Sequence, residues 1–203
     1  MVFYLSFDAY IPGATAVGIT YKDGVILGAE RRITLANYVL SKTGRKVFKV
    51  TDSTGAVCAG MVADMQNLVR QVGVYTKLKE LEVKRTLRPG AVAKLMSVIM
   101  FEQRYAPYIT QVILGGIDVK PKVWVLDPLG SVIADEYAAV GTGAEMAVGV
   151  IEGGFAPALS AKDAKELLLT SIRAAIARDS MSGNGIDILT IDKTGIKEDE
   201  AEV

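Results

Sequence analysis

The sequence predicts an α+β domain with sheet and helix laid down in blocks. Three observations predict it. The hydrophobic period is that of strands to about residue 60, that of helices to about residue 104, and that of strands again from Ile109. Two further helical patterns and a last strand follow, so strand and helix do not alternate as in a doubly wound sheet. The chain has 203 residues, half of them hydrophobic, which suits one domain with a substantial core.

The elements follow in order. Val17 and Ile19 alternate with Ala16, Gly18 and Thr20, a half-buried strand. Lys22-Asp23-Gly24 turns the chain into a second strand, Val25 to Ala29, which ends at Glu30-Arg31-Arg32. Tyr38 to Lys42 and Val47 to Val50, separated by a turn at Thr43-Gly44-Arg45, read as a hairpin. Ala56 to Gly60 is the next strand. Met65, Leu68, Val69, Val72 and Leu78 mark the inward face of a helix over about 62–82. Arg88-Pro89-Gly90 breaks the chain before a helix over 91–104, with Val92, Leu95, Met96 and Ile99 inward.

Strands resume at Ile109 to Leu114, Val123 to Leu126 and Val132-Ile133, with a turn at Asp127-Pro128-Leu129-Gly130. Gly141-Thr142-Gly143 leads into a helix with Ala144, Ala147, Val148 and Ile151 on one face. Ser160-Ala161-Lys162-Asp163 has the form of a capping box. It opens a helix to about Arg178 with Ala164, Leu168, Ile172 and Ala175 inward. A polar loop, 179–185, precedes the last strand, Ile186 to Ile191, and residues 193–203 read as an acidic, solvated tail.

Composition narrows the chemistry. Formal net charge is zero, so no basic excess supports nucleic-acid binding. There is no histidine, which removes Ser-His-Asp and Cys-His catalysis within the chain. Cys58 is the only cysteine, which leaves no internal disulfide and no cysteine-cluster metal site. No apolar run is long enough to span a membrane as a helix, and Met1 to Pro12 lacks the basic start of a secretory signal. Gly141-Thr142-Gly143 before a helix could suggest a phosphate cradle, but it lacks both the third glycine of a dinucleotide fingerprint and Gly-Lys-Ser/Thr.

The opening Gly13-Ala14-Thr15-Ala16-Val17-Gly18-Ile19-Thr20, the second strand and its Glu30-Arg31-Arg32 turn together resemble the start of β-subunits of the proteasome core particle. The likeness extends from Gly13 to Ile191. It implies a four-layer αββα sandwich of the N-terminal-nucleophile hydrolase type. It also implies a leader at 1–13, a β-type domain at 14–192 and a tail at 193–203. In catalytic members autolysis after the glycine frees a threonine that is both N-terminus and nucleophile.

The resemblance implies roles residue by residue. Glu30 matches the acidic position and Lys46 the catalytic lysine. Asp179 and Ser182 match the Arg-Asp-Ser-x-Ser-Gly motif that supports the N-terminal residue, and Thr142 falls where Gly-Ser-Gly is common. Gly60 matches the glycine whose N–H lines the oxyanion site. Thr34 lies on the segment that pairs with extended substrate, and Cys58 at the base of the specificity pocket. Each also has an ordinary reading: Glu30 in a surface ion pair, Lys46 at a strand edge, Asp179 ending a helix, Ser182-Gly183 as loop chemistry.

Ala14 occupies the nucleophile position and carries no hydroxyl. It can neither attack the Gly13 carbonyl nor form an acyl-enzyme. Two readings follow. In one, the chain is a structural, non-catalytic β-subunit. Its partners are a catalytic β-subunit and α-subunits in stacked heptameric rings acting on unfolded polypeptide, in the cytoplasm and without cofactor, metal, nucleic acid or membrane. In the other, leader removal exposes Thr15 as a threonine endopeptidase nucleophile. The strand period disfavours the second, because a one-residue shift sends the side chain to the opposite face.

Overall fold

The chain is seen in a computed structural model that describes residues 13–35 and 37–203. The expected leader, Gly13 apart, lies outside those residues. The elements are β1 (Thr15–Tyr21), β2 (Gly24–Glu30), β3 (Ile33–Leu35), β4 (Tyr38–Ser41), β5 (Val47–Lys49) and β6 (Thr54–Gly60), then α1 (Val62–Val83) and α2 (Pro89–Glu102). After them come β7 (Thr110–Ile117), β8 (Pro121–Leu126), β9 (Val132–Asp135), β10 (Tyr137–Gly141), α3 (Ala144–Gly154), α4 (Ala161–Ile176), β11 (Ile186–Asp192) and β12 (Gly195–Ala201).

One five-stranded sheet has the order β10-β1-β2-β11-β12, a second the order β5-β6-β7-β8-β9, and β3-β4 form a separate ribbon. The strand pairs are antiparallel, with Ala16 opposite Ala29 and Thr15 opposite Gly141. Three apolar layers separate four structural ones. Ala14, Ala16, Leu27, Val57, Ile113 and Leu189 fill the space between the sheets. Met65, Leu68, Val72, Met96 and Leu114 fill the layer under α1 and α2, and Val17, Ile19, Leu168, Ile172 and Ile188 the layer under α3 and α4. This is the αββα sandwich. Each fully buried aliphatic side chain contributes about 1.5–3 kcal/mol, so the layers rather than the short turns hold the fold.

Four sequence expectations need correction. Residues 38–42 and 47–50 are not a hairpin: β4 pairs with β3, and β5 pairs with β6 in the other sheet. The chain between them is tied to the β2–β3 turn by Gly44 N–H on the Arg31 carbonyl at 2.8 Å and by Lys46, which delivers β5 to the second sheet. The tail is not solvated throughout, because Gly195–Ala201 forms edge strand β12 against β11. Ile196 packs at the inter-sheet core and Ala201 at the layer under α3 and α4, which gives the acidic stretch an anchor on each face. Leu78 is not inward but 56% exposed, and Thr76 is buried in its place. The inward stripe continues from Val72 to Thr76, and Leu78, two residues further and so about 200° around the helix, points away from it. Finally, Pro89 does not precede α2 but begins it, where a missing N–H costs nothing.

The N-cap half of the expected box is formed: the Ser160 hydroxyl accepts from the Asp163 N–H at 3.1 Å, while the Asp163 carboxylate accepts from that same hydroxyl at 2.7 Å. Among the described residues no helix is long and apolar enough to cross a membrane.

Candidate functional site

β1 enters the sandwich fully buried, and its period divides its side chains between two layers. Ala14 and Ala16 face the space between the sheets. Thr15, also fully buried, faces the other way, so that a side chain at Gly143 would strike its hydroxyl and then Ala175 of α4. The end of β10 wraps over this start. Gly141 sits at φ 97°, where a side chain would collide with the Ala14 carbonyl and the Ala59 side chain, so only glycine fits.

A chain of hydroxyls and a carboxylate runs from Thr15. Its Oγ1 lies 2.7 Å from Ser182 Oγ. Ser182 Oγ and Thr142 Oγ1 both reach Asp179 Oδ2, at 2.7 and 2.6 Å, and Asp179 Oδ1 accepts from the Met181 N–H at 3.0 Å. The Ala14 carbonyl accepts two long contacts, from Gly143 N–H and Thr142 Oγ1, each 3.4 Å.

Glu30 ends β2 with its carboxylate fully buried. Oε1 accepts from Lys46 Nζ and from the Thr15 N–H at 3.3 Å. Oε2 accepts from the Arg32 N–H at 2.7 Å and the Gly183 N–H at 2.9 Å. Lys46 Nζ also donates to the Glu30 carbonyl at 3.0 Å and the Arg32 carbonyl at 2.5 Å. An ammonium has three protons, and all three have acceptors here. Burial pushes the Glu30 pKa up, while the charge of Lys46 and its hydrogen bond, then the two amides, pull it down. Burial likewise pushes Lys46 down against the attraction of Glu30.

The structure therefore brings Ala14, Thr15, Glu30, Lys46, Thr142, Asp179 and Ser182 to one end of β1. Neither Glu30 nor Lys46 is at the surface, so the ordinary readings of a surface pair and a strand-edge lysine do not describe them. Gly60 ends β6 at φ 141°, directly after the Ala59 that packs beside Gly141. Thr34 sits apart, on the β3–β4 ribbon opposite Val39, buried, with no hydrogen-bond partner for its hydroxyl among the described residues. Cys58 is also apart, in the layer under α1 and α2. There burial alone raises its thiol pKa far above the ordinary value, which leaves it an inert packing group. Among the described residues no His, Cys, Asp and Glu are grouped to hold a metal.

Sequence reasoning missed the backbone donors and Arg32. The Arg31 N–H donates to the Gly183 and Gly185 carbonyls at 3.2 and 3.1 Å, and the Arg32 N–H donates to Gly183 O at 3.0 Å. The Arg32 guanidinium lies against Gly183 and donates to Asn184 Oδ1 and Ser180 O, both at 2.9 Å. The string Gly183-Asn184-Gly185, with Asn184 at φ 65° and Gly185 at φ 74°, was the available signal for a sharply turned loop.

Comparison with known proteins follows the same residues. Residues 12–191 match the family described as proteasome subunit. The chain is 51% identical over 194 residues to proteasome subunit beta 1 of Nitrosopumilus maritimus, covering 96% of this chain and 98% of that one. It is 52% identical over 188 residues to proteasome subunit beta 1 of Cenarchaeum symbiosum, covering 93% and 97%. It is 48% identical over 192 residues to proteasome subunit beta 2 of Pyrobaculum arsenaticum, covering 94% and 95%.

Proposed function

The chain belongs to the proteasome subunit family, as a β-subunit of the core particle, and from that premise we propose that it is a non-catalytic member of the ring. It co-assembles with a catalytic β-subunit and with α-subunits in stacked heptameric rings, where it completes the chamber wall around unfolded polypeptide substrates. The observation that carries this reading is Ala14: the position after Gly13 is a methyl group buried between the sheets, with no atom that can attack a carbonyl.

The arrangement around it agrees. Lys46 points its ammonium at oxygens of Glu30 and Arg32, so its protons are taken up within the cluster and none is directed at position 14. A second reading draws on one contact, the Thr15 hydroxyl on Ser182 and through it Asp179, which has the form of a proton relay. It requires the Ala14–Thr15 bond to be cut first. Both residues are fully buried, and Thr15 faces away from the inter-sheet side where Ala14 points.

Intact mass of this subunit, taken from a particle assembled with its catalytic partner, decides between them. The expected species begins at or before Ala14, with any trimming confined to residues 1–13. A major species beginning at Thr15 overturns the non-catalytic reading. In the same experiment Ala14→Thr restores the hydroxyl, and partial loss of residues 1–13 is expected for it.

A further inference from the structure

The non-catalytic reading leaves a buried ion pair without a chemical task. Glu30 and Lys46 are both removed from solvent, and removing two charges from water is costly unless every lone pair and proton is met. Here they are met by groups from four separate places in the chain. Thr15 opens β1, Arg32 lies in the β2–β3 turn, Lys46 precedes β5, and Gly183 lies in the 179–185 loop.

We propose that Glu30 is a conformational clamp: its one carboxylate holds the 179–185 loop, the start of β1 and the approach to β5 in a single arrangement, and the loop opens only when that carboxylate lets go. The loop has no strand or helix of its own to fix it. Its ties run instead to the two residues after Glu30. They are the Arg31 and Arg32 amides on the Gly183 and Gly185 carbonyls, and the Arg32 guanidinium on Ser180 and Asn184. The Gly183 N–H closes the circuit onto Glu30 Oε2 at 2.9 Å. Asp179 and Ser182 lie on this same loop, so the clamp also positions the hydroxyl chain that reaches Thr15.

The carboxylate is specific to this task. Oε1 faces two donors and Oε2 faces two donors. An amide of the same shape must turn its NH2 toward one of those pairs, so Glu30→Gln sets donor against donor whichever way it is rotated. The clamp needs no nucleophile, and it stands whether or not this chain cleaves peptides.

Residue-resolved hydrogen exchange on the full chain tests it. In the unaltered protein the amides of Thr15, Arg32 and Gly183 are expected to share one protection factor, because one opening exposes all three. In Glu30→Gln all three are expected to exchange at least about tenfold faster together, while amides at the centre of β7 keep their rate. Unrelated protection factors at the three amides in the unaltered protein overturn the clamp, and this arm stands even if the variant does not fold. So does a folded Glu30→Gln variant whose three amides exchange as before. Intact mass is unaffected by either result, so the cleavage question and the clamp are decided separately.

Discussion

Two carboxylates in this molecule gather backbone N–H groups, and their surroundings send them in opposite directions. Asp127 Oδ1, in the β8–β9 turn, accepts from the N–H groups of Leu129 and Ser131 at 2.9 and 3.0 Å. The Ser131 hydroxyl, with the turn amides behind it, holds its pKa below the ordinary Asp value against desolvation. Glu30 accepts from three amides and a lysine besides, yet burial raises its pKa. Hydrogen bonds to an anion favour it, but desolvation outweighs them when water is fully removed. The surface turn is therefore a local device that any turn of this sequence could make. The buried cluster depends on four distant segments arriving together.

The largest expected break in this comparison is Lys46→Met. It leaves the Glu30 charge buried beside an apolar chain, which costs about 3–5 kcal/mol of stability in chemical denaturation. A loss under about 1 kcal/mol would mean that Glu30 is already neutral in the native protein, and the ion pair would have to be given up.

A middle effect is expected at Thr15→Val, which keeps the shape and removes the hydroxyl. The Ser182 hydroxyl keeps Asp179, so the loss is about 1–2 kcal/mol, read as a lower denaturation midpoint at unchanged slope. An unchanged midpoint would show that the Thr15 contact contributes nothing and that the clamp reaches β1 through its amide alone.

The smallest effect belongs to the surface turn. Asp127→Ala is expected to cost about 1 kcal/mol or less at neutral pH. The sign with pH follows from the depressed native pKa. The advantage of the unaltered chain over the variant is full above the unfolded Asp pKa and fades as pH falls through the lower native one. Paired unfolding curves down to acid pH measure it. An advantage that grew on acidification would reverse the assignment.

Much of the fold was legible locally. α4 announced itself by Ser160 and Asp163 at its start and by Ala164, Leu168, Ile172 and Ala175 on one face, which packs on β1 and β2. α1 was legible through Met65, Leu68 and Val72, which face the sheet, and misread at Leu78, which lies off that stripe while the polar Thr76 continues it. Of the site, Ala14 and the matched positions could be read from the resemblance. The amides of Arg32 and Gly183 could not, because every residue but proline has one and only geometry says which is used.

The sequence by itself determined the block order of sheet and helix, the layered class, and the absence of a hydroxyl at position 14. These depend on period and residue type, which the chain carries locally. Only the tertiary structure decided that β5 leaves β4 for the second sheet, that the acidic end closes the first sheet as β12, and that Thr15 and Ala14 serve different layers. It also decided that Glu30 is a buried junction and not a surface charge. The reason is physical. A strand's partner and a carboxylate's solvent are set by what other parts of the chain bring to them, and no local pattern records that.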